Sequence, residues 1–248
     1  MEERYSRNRL YINSEEQEII KATPILFAGS GIGSNIAECA LRIGFENITV
    51  VDGDVIEVTN LNRQNYTEKE VSEYKSKALY DRLKSINPNA NIKHIQEFIT
   101  FDNIEEIVNG HTIAVNALDF TSNIPLFFDD LCKKSGIPVL HPYNLGWAGL
   151  VTVISPTGPT LSSISHNDSF NELKMVEYVV GYLRFWEKRN EWLEKIIEDY
   201  KQEEGNLPPP QLAVGSWIVA GICTNIMFNI ATQKEYKRFP EFYLSSVM

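Results

Sequence analysis

The sequence predicts an α/β fold: a doubly wound, Rossmann-like sheet with a parallel core, antiparallel strands added at one edge, and a helical insert. Short apolar strands alternate with helical periodicity over residues 24–143, which is the pattern of a parallel sheet covered on both faces. The first strand runs into the glycine-rich turn that spans residues 29–33. With 248 residues, 43% of them hydrophobic, the chain can form one large domain with a sizeable core.

The elements of the first half follow in order from their apolar runs and terminators. Residues 14–22 predict a short helix that Ser14 could cap and Pro24 ends. Gly44 closes the helix that follows the glycine-rich turn. The predicted strands are 25–28, 48–51, 92–96, 112–117 and 137–141, and the predicted helices are 36–43, 75–86, 102–109 and 121–135.

The second half changes in pattern after Pro142. Residues 147–154 predict strand that continues the sheet, residues 168–204 have helical periodicity, and a last strand is expected near 242–247. We therefore predict a single domain over 1–248. Its parts are an N-terminal arm and helix (1–23), a nucleotide-binding core (24–156), a helical insert (160–206), and a buried interface helix with the final strand (207–248).

An uncharged stretch from Gly205 to Gln233 is long enough to cross a bilayer. Polar residues recur through it, among them Ser216 and Asn225, and no Lys/Arg cluster marks one flank. We therefore expect a helix over 212–231 that is hydrophobic on all sides and buried in a core or a subunit interface, with a membrane span as the alternative.

Composition excludes several functional classes. The formal net charge of −10 argues against binding nucleic acid by bulk electrostatics. The cysteines Cys39, Cys132 and Cys223 are far apart, which excludes a disulfide scaffold and a cysteine-rich zinc site and fits a reducing compartment. We expect all three on helices, packed in the core. The N-terminus has no secretory signal pattern, so a cytoplasmic protein is expected.

A strand, a glycine-rich turn and a helix together predict a phosphate site. Gly29, Gly31 and Gly33 let the backbone approach a ligand, and the helix N-terminus offers N–H groups. Asp52 ends the second strand, where a carboxylate can bind the ribose of a nucleotide. The alternative is a tight turn without a ligand.

Two further segments are expected at the same edge of the sheet. The loop from Asp54 to Gln64 contains Asn60 and Arg63, and Lys75 begins the next helix; these side chains can bind a triphosphate, or they can be solvated loop residues. Asp119 follows an apolar strand and is a natural magnesium ligand beside a polyphosphate.

These residues carry a resemblance to a known family. The segments are Arg4-Tyr-Ser-Arg7-Asn, the glycine-rich turn, the string from Val51 to Gln64, Lys75, Ile86-Asn-Pro and Asp119. They resemble the ThiF/MoeB/HesA-like adenylyltransferases of the ubiquitin-activating-enzyme superfamily. The resemblance covers about residues 1–156 and 207–248 and identifies the chain as a ThiF-type adenylation domain.

The resemblance implies a reaction in which a carboxylate attacks the α-phosphate of ATP, giving an acyl-adenylate and pyrophosphate. The partner implied is a small ubiquitin-like or sulfur-carrier protein that ends in Gly-Gly, with a homodimeric enzyme and no role for nucleic acid or membrane. The residues assigned to ATP are Gly29, Gly31, Gly33, Asp52, Asp54, Asn60, Arg63 and Lys75. The residues assigned to catalysis are Arg7, Arg63, Lys75 and Asp119, of which Asp119 also positions Mg²⁺.

Arg7 resembles the arginine that a second protomer inserts into the site. Its segment precedes the first strand and is long enough, if extended, to reach beyond its own subunit. The alternative is a frayed terminus with Arg7 in solvent.

The chain departs from the family pattern at several positions. Ala28 and Ser30 replace glycines of the turn, and Phe120 follows Asp119 where the family favours Asn. The zinc-binding CxxC pairs and the thioester cysteine of many relatives are missing. Because of these departures, a non-catalytic nucleotide-binding or scaffold subunit remains an alternative function. Adenylation of a peptide or of a tRNA-bound carboxylate is a further alternative, although the charge opposes tRNA. His141, at the end of a predicted strand, is expected in a hydrogen-bonded structural role.

Overall fold

The computed structural model describes residues 2–164, 170–204 and 207–248, and the sheet in those residues has seven strands in the order β3-β2-β1-β4-β5-β6-β7. The first five pair in parallel and β6 and β7 are antiparallel, which confirms the predicted parallel core with antiparallel edge strands. The strands are β1 Pro24–Ala28, β2 Asn47–Val51, β3 Asn91–Ile95, β4 Ile113–Asn116, β5 Val139–Asn144, β6 Ala148–Ile154 and β7 Tyr243–Ser246.

Helices cover both faces of the sheet. One apolar core lies between the sheet and α2, α3 and α8, and a second lies between the opposite face and α4, α5 and α6. A smaller cluster joins α6 to α7. The helices are α1 Ser14–Ala22, α2 Gly33–Ile43, α3 Lys75–Ile86, α4 Ile104–Val108, α5 Ile124–Lys134, α6 Glu172–Phe185, α7 Glu191–Gln202 and α8 Ala213–Ala231.

The register of the central strands determines where loops emerge. In β1, Ile25 and Phe27 belong to one core while Leu26 and Ala28 belong to the other, as the period of two in a strand requires. Ala28 is paired with the last residues of both β2 and β4. The loops after β1, β2 and β4 therefore leave the sheet at one edge.

Several predicted element ends are corrected. α1 is capped by Asn13 in a capping box with Glu16, so Ser14 is inside the helix. The strand predicted at 137–141 begins at Val139. The Ile137 N–H bonds back to the Cys132 carbonyl in the last turns of α5, and Pro138 has no N–H to give to a neighbouring strand.

The helical stretch predicted at 168–204 is two helices, α6 and α7. Glu187 has a left-handed φ of +58°, and the Lys188 N–H bonds back to the Leu183 carbonyl, which closes α6. Residues 168 and 169 of that prediction, like 165–167 and 205–206 of the insert, lie outside the described residues.

The helix α8 is uncharged, as predicted, but it is not buried on all sides. It packs on α2 and β6, and its buried face includes Val219, Cys223 and Met227. On the other face, Trp217 is 48% exposed. By length and composition α8 could cross a membrane, and it is the one such helix in the described residues. Half of its apolar 18-residue stretch is buried inside the protein.

The N-terminal segment is docked on its own subunit. Residues Glu3–Asn8 form a short 3-10 helix, and the Tyr5 hydroxyl, which is buried, donates to Glu46 Oε1 at 2.7 Å. Asn87 Nδ2 donates to the same carboxylate at 3.0 Å. The segment is therefore neither the extended arm nor the frayed terminus that the sequence suggested.

Candidate functional site

The turn between β1 and α2 is fixed by contacts with its neighbours. Gly29 has a φ of +95°, and a Cβ there would lie 2.5 Å from the carbonyl oxygen of Ala117. Its N–H donates to the Val51 carbonyl at 2.9 Å, and the Ser30 carbonyl accepts from the Tyr66 hydroxyl at 2.7 Å. The fold itself therefore requires glycine at position 29.

Gly31 and Gly33 have more room around them. A Cβ on Gly31 would lie 3.2 Å from the side-chain nitrogen of Gln64, whereas the nearest atom to a Cβ on Gly33 would be 3.9 Å away. The N-cap residue of α2, Ile32, gives no side-chain acceptor to the helix. Since the Ser34 and Asn35 N–H groups already donate to the Gly31 and Ile32 carbonyls, an anion would meet the N–H groups of residues 31–33 and the positive end of the helix dipole.

Asp52 links the end of β2 to this turn. Its Oδ2 accepts from the Ser30 N–H at 2.6 Å and its Oδ1 accepts from the Asp54 N–H at 2.8 Å. Burial raises the pKa of this carboxyl, against the opposing effects of the two backbone hydrogen bonds and of the Lys75 charge. Asp52 therefore organises the turn by accepting hydrogen bonds from both sides of it.

Phe98 borders the same end of β2. A Cβ on Gly53 would lie 2.7 Å from the Phe98 backbone nitrogen, while the Phe98 side chain is 63% exposed. Sequence reasoning missed this residue. Its signal is an aromatic side chain three positions after β3, at the edge where parallel strands present ligand-binding loops.

Lys75 and Asp54 form an ion pair beside the turn. The Lys75 ammonium is 3.0 Å from Asp54 Oδ2, and the lysine is only 9% exposed. Asn60 is also buried, and its side-chain oxygen accepts from the Glu57 N–H at 3.0 Å. Asn60 thus has a structural bond in addition to its predicted nucleotide role.

Arg63 and Asp119 lie on different loops, and the Asp119 carboxylate acts on Arg63 through its charge. Burial lowers the pKa of Arg63, while the charge of Asp119 acts in the opposite direction. One guanidinium nitrogen of Arg63 donates to the Thr59 carbonyl at 2.8 Å, and Nε donates to Gln211 Oε1. Gln211, just before α8, is a contact that sequence reasoning missed. Asp119 is exposed.

Arg7 lies apart from this set in its own chain. It is exposed on the docked N-terminal helix. Through the Tyr5 hydroxyl, that helix donates to Glu46, before β2, and accepts from Asn87, after α3. These positions flank the amino ends of the strands, opposite the edge that carries the glycine-rich turn. The structure therefore brings the other predicted site residues to one edge and leaves Arg7 at the other.

The remaining candidate groups are wholly or partly buried. His141 Nε2 is 2.9 Å from Asp129 Oδ1, so the expected hydrogen-bonded role is confirmed. Cys132 and Cys223 are fully buried, and burial raises both thiol pKa values, while Cys39 is partly buried. In the described parts of the chain, no three His, Cys, Asp or Glu side chains group as a metal site.

Comparisons with known proteins show which proteins this chain is similar to. The ThiF family matches residues 5–245. The sulfur carrier protein ThiS adenylyltransferase of Bacillus subtilis is 31% identical over 159 residues, covering 62% of this chain and 47% of that protein. The tRNA threonylcarbamoyladenosine dehydratase of Escherichia coli is 31% identical over 140 residues, covering 56% of this chain and 52% of that protein. The chain thus spans about half the length of these relatives.

A solved structure shows the same fold. E. coli MccB with AMPCPP and MccA superposes with a TM-score of 0.71 at 18% identity, over 98% of this chain and 70% of that one. The family match extends over nearly all of the sequence, from the docked N-terminal helix to the edge strand β7. The chain therefore belongs to the ThiF family.

Proposed function

We propose that this chain is an ATP-dependent adenylyltransferase that activates the C-terminal carboxylate of a small ubiquitin-like or sulfur-carrier protein. The observation that carries the proposal is the meeting of three loops at one edge of the sheet. They bring to that edge the glycine-rich turn with Asp52, the Lys75–Asp54 pair, and the loops that carry Arg63 and Asp119. The adenylyltransferase named among its relatives supports the same activity.

The residues present fit ATP. The turn is open at Gly33 and uncapped at the start of α2, so phosphate oxygens can approach its N–H groups. Lys75 and Arg63 add two positive charges to an acidic protein. Asp52 would accept hydrogen bonds from ribose hydroxyls, and Phe98 offers an exposed ring beside Gly53.

The residues present also fit Mg²⁺ held mainly by the substrate. Asp119 offers one exposed carboxylate, and Mg²⁺ in nucleotide sites typically binds one or two carboxylates together with phosphates and water. The ion would supply charge neutralisation of the triphosphate.

The chain's own residues would act by positioning and by charge. In the proposed reaction a carboxylate oxygen bonds to the α-phosphorus and the bond to pyrophosphate breaks. Lys75 would exchange Asp54 for a phosphate oxygen, and Arg63 would stabilise the negative charge that develops. This reaction needs no protein nucleophile, which is consistent with three cysteines that are wholly or partly buried.

We further propose a cytoplasmic homodimer in which Arg7 reaches the partner's site. Arg7 is held on the outside of its own subunit, away from its own glycine-rich turn. The exposed, uncharged face of α8 around Trp217 is an apolar surface that a symmetric dimer can bury.

ATP–pyrophosphate exchange tests the function. We expect exchange that depends on a carrier protein ending in Gly-Gly, and the same carrier without its last two residues is the matched control. A relative named tRNA threonylcarbamoyladenosine dehydratase makes a tRNA-bound carboxylate the second candidate, so tRNA carrying that modification is the second substrate to assay. Absence of both ATP binding and exchange would favour a non-catalytic subunit.

A further inference from the structure

A buried polar cluster lies beneath the segment that carries Asp119. Asp129, on α5, and His141, on β5, are each 1% exposed. Asp129 Oδ1 is 2.9 Å from His141 Nε2 and accepts from Asn116 Nδ2, also at 2.9 Å. Asn116 Nδ2 donates in addition to the Pro125 carbonyl at 2.9 Å. One carboxylate oxygen thus joins β4, α5 and β5.

The cluster contacts the Asp119 segment at two points. Asn116 ends β4, and its side-chain oxygen accepts from the Leu118 N–H at 3.4 Å. The His141 ring stacks on Phe120, the residue after Asp119, with centroids 6.2 Å apart. The exposed acid is therefore flanked on both sides by residues that the cluster holds.

The cluster lowers the stability of the fold, since it buries polar atoms that an apolar core would not contain. Asp129 Oδ2 and the hydroxyl of Tyr143, whose ring stacks on that of His141, are buried and have no hydrogen-bond partner among the described residues. A buried polar atom without a partner costs about 1–3 kcal/mol, and an apolar replacement of similar shape avoids that cost. An apolar core would thus connect these three elements at a lower cost in free energy. It would not, however, fix the direction of the Asn116 side chain.

We propose that Asp129 and His141 are positioning residues, which act through Asn116 and Phe120 to hold the segment around Asp119 in the conformation that binds Mg²⁺ with ATP. This rests on the proposed function, in which Asp119 is the metal residue. A carboxylate that is exposed and carried on a loop has no rigidity of its own, and a misplacement of 1 Å in such a site can cost about a hundredfold in rate.

The test measures how much Mg²⁺ improves ATP affinity, by calorimetry with and without the metal. Asp129→Leu removes the acceptor from both donors, and Asp129→Asn keeps an acceptor oxygen and should restore part of the effect. His141→Gln keeps a donor but removes the ring against Phe120, and His141→Phe keeps a ring but removes the bond. Asp130→Asn is the matched control, because this exposed neighbour on α5 carries the same charge.

We expect Asp129→Leu to reduce the Mg²⁺ effect about tenfold or more and to leave the Mg²⁺-free affinity unchanged. Asp119→Ala should abolish the Mg²⁺ effect, and adding Asp129→Leu to it should change nothing further. An undiminished Mg²⁺ effect in the Asp129 and His141 variants would overturn the proposal, as would an equal loss of Mg²⁺-free affinity. A wild-type protein that does not bind ATP would overturn the proposed function, whereas normal exchange with no response to these variants would overturn the positioning role alone.

Discussion

Two glycines of the same turn allow the demands of the fold to be separated from those of a nucleotide. Gly29→Ala places a methyl group 2.5 Å from the Ala117 carbonyl oxygen at a φ of +95°. The left-handed backbone costs roughly 1–2 kcal/mol and the overlap roughly 1–3 kcal/mol. For a chain of this size each kcal/mol lowers the Tm by about 2–4 °C, so we expect a drop of several degrees to more than ten.

Gly33→Ala is the matched variant, because it adds the same methyl group to the same turn. Gly33 begins α2, and the nearest atom to its added Cβ is 3.9 Å away. Replacement of a helical glycine by alanine stabilises by about 0.4–1 kcal/mol, so the Tm should stay or rise slightly. If phosphate approaches this position, the methyl group displaces it from a backbone N–H.

The expected loss of ATP affinity in Gly33→Ala follows from the free energy of the hydrogen bond between the phosphate and that backbone N–H. A hydrogen bond to a charged group contributes roughly 1.5–3 kcal/mol, which corresponds to about a 10- to 150-fold rise in the Kd for ATP. Calorimetry gives the Kd, and thermal unfolding gives the Tm. If Gly33→Ala bound ATP as tightly as the wild type, the assignment of the turn to phosphate would be refuted.

Four further outcomes are expected. Asp119→Ala should abolish pyrophosphate release at an unchanged Tm, because the side chain is exposed; normal turnover would remove its metal role. Burial raises the pKa of Asp52 in the folded state, so folding favours the protonated carboxyl. Its contribution to the free energy of unfolding is therefore present below the ordinary carboxyl pKa and is lost as pH rises through the raised pKa of the folded state. The Tm difference between wild type and Asp52→Asn should vary over that range, and a constant difference would contradict the shift. Replacement of all three cysteines by serine should leave the adenylation rate unchanged, because two of the thiols are fully buried and poor nucleophiles; a thiol-sensitive adduct with a carrier would overturn this. Mixing Arg7→Ala with Asp119→Ala protein should restore turnover if Arg7 acts across a dimer, and failure despite subunit exchange would mean that it does not.

Local sequence patterns were enough to predict the fold class and the positions of several candidate site residues along the chain. The strand that contains Phe27 and the turn at Gly29 are signalled by consecutive residues, as is the position of Asp52 at the end of β2. The parallel core of the sheet follows from the alternation of strands and helices. These features depend on neighbours in sequence, which is why they could be predicted.

What the sequence did not predict depends on contacts between distant residues. Phe98 borders Gly53 only because β2 and β3 pair with Val51 opposite Ile95. The bond from Arg63 to Gln211 joins residues that are 148 positions apart. The docking of the N-terminal segment depends on the hydrogen bond from Tyr5 to Glu46. A single tyrosine in a polar stretch gives no sequence pattern that predicts this contact.

The contacts that hold the glycine-rich turn have a consequence for the entropy of ligand binding. Fixing the backbone of one residue costs about 1–2 kcal/mol, and the bonds to Val51, Asp52 and Tyr66 fix Gly29 and Ser30 during folding. A ligand that binds there does not have to order the protein, so the loss of freedom falls on the ligand itself. Hydrogen exchange at the Gly29 and Ser30 N–H groups, which donate to Val51 and Asp52, should then be slow already in the free protein and change little on binding.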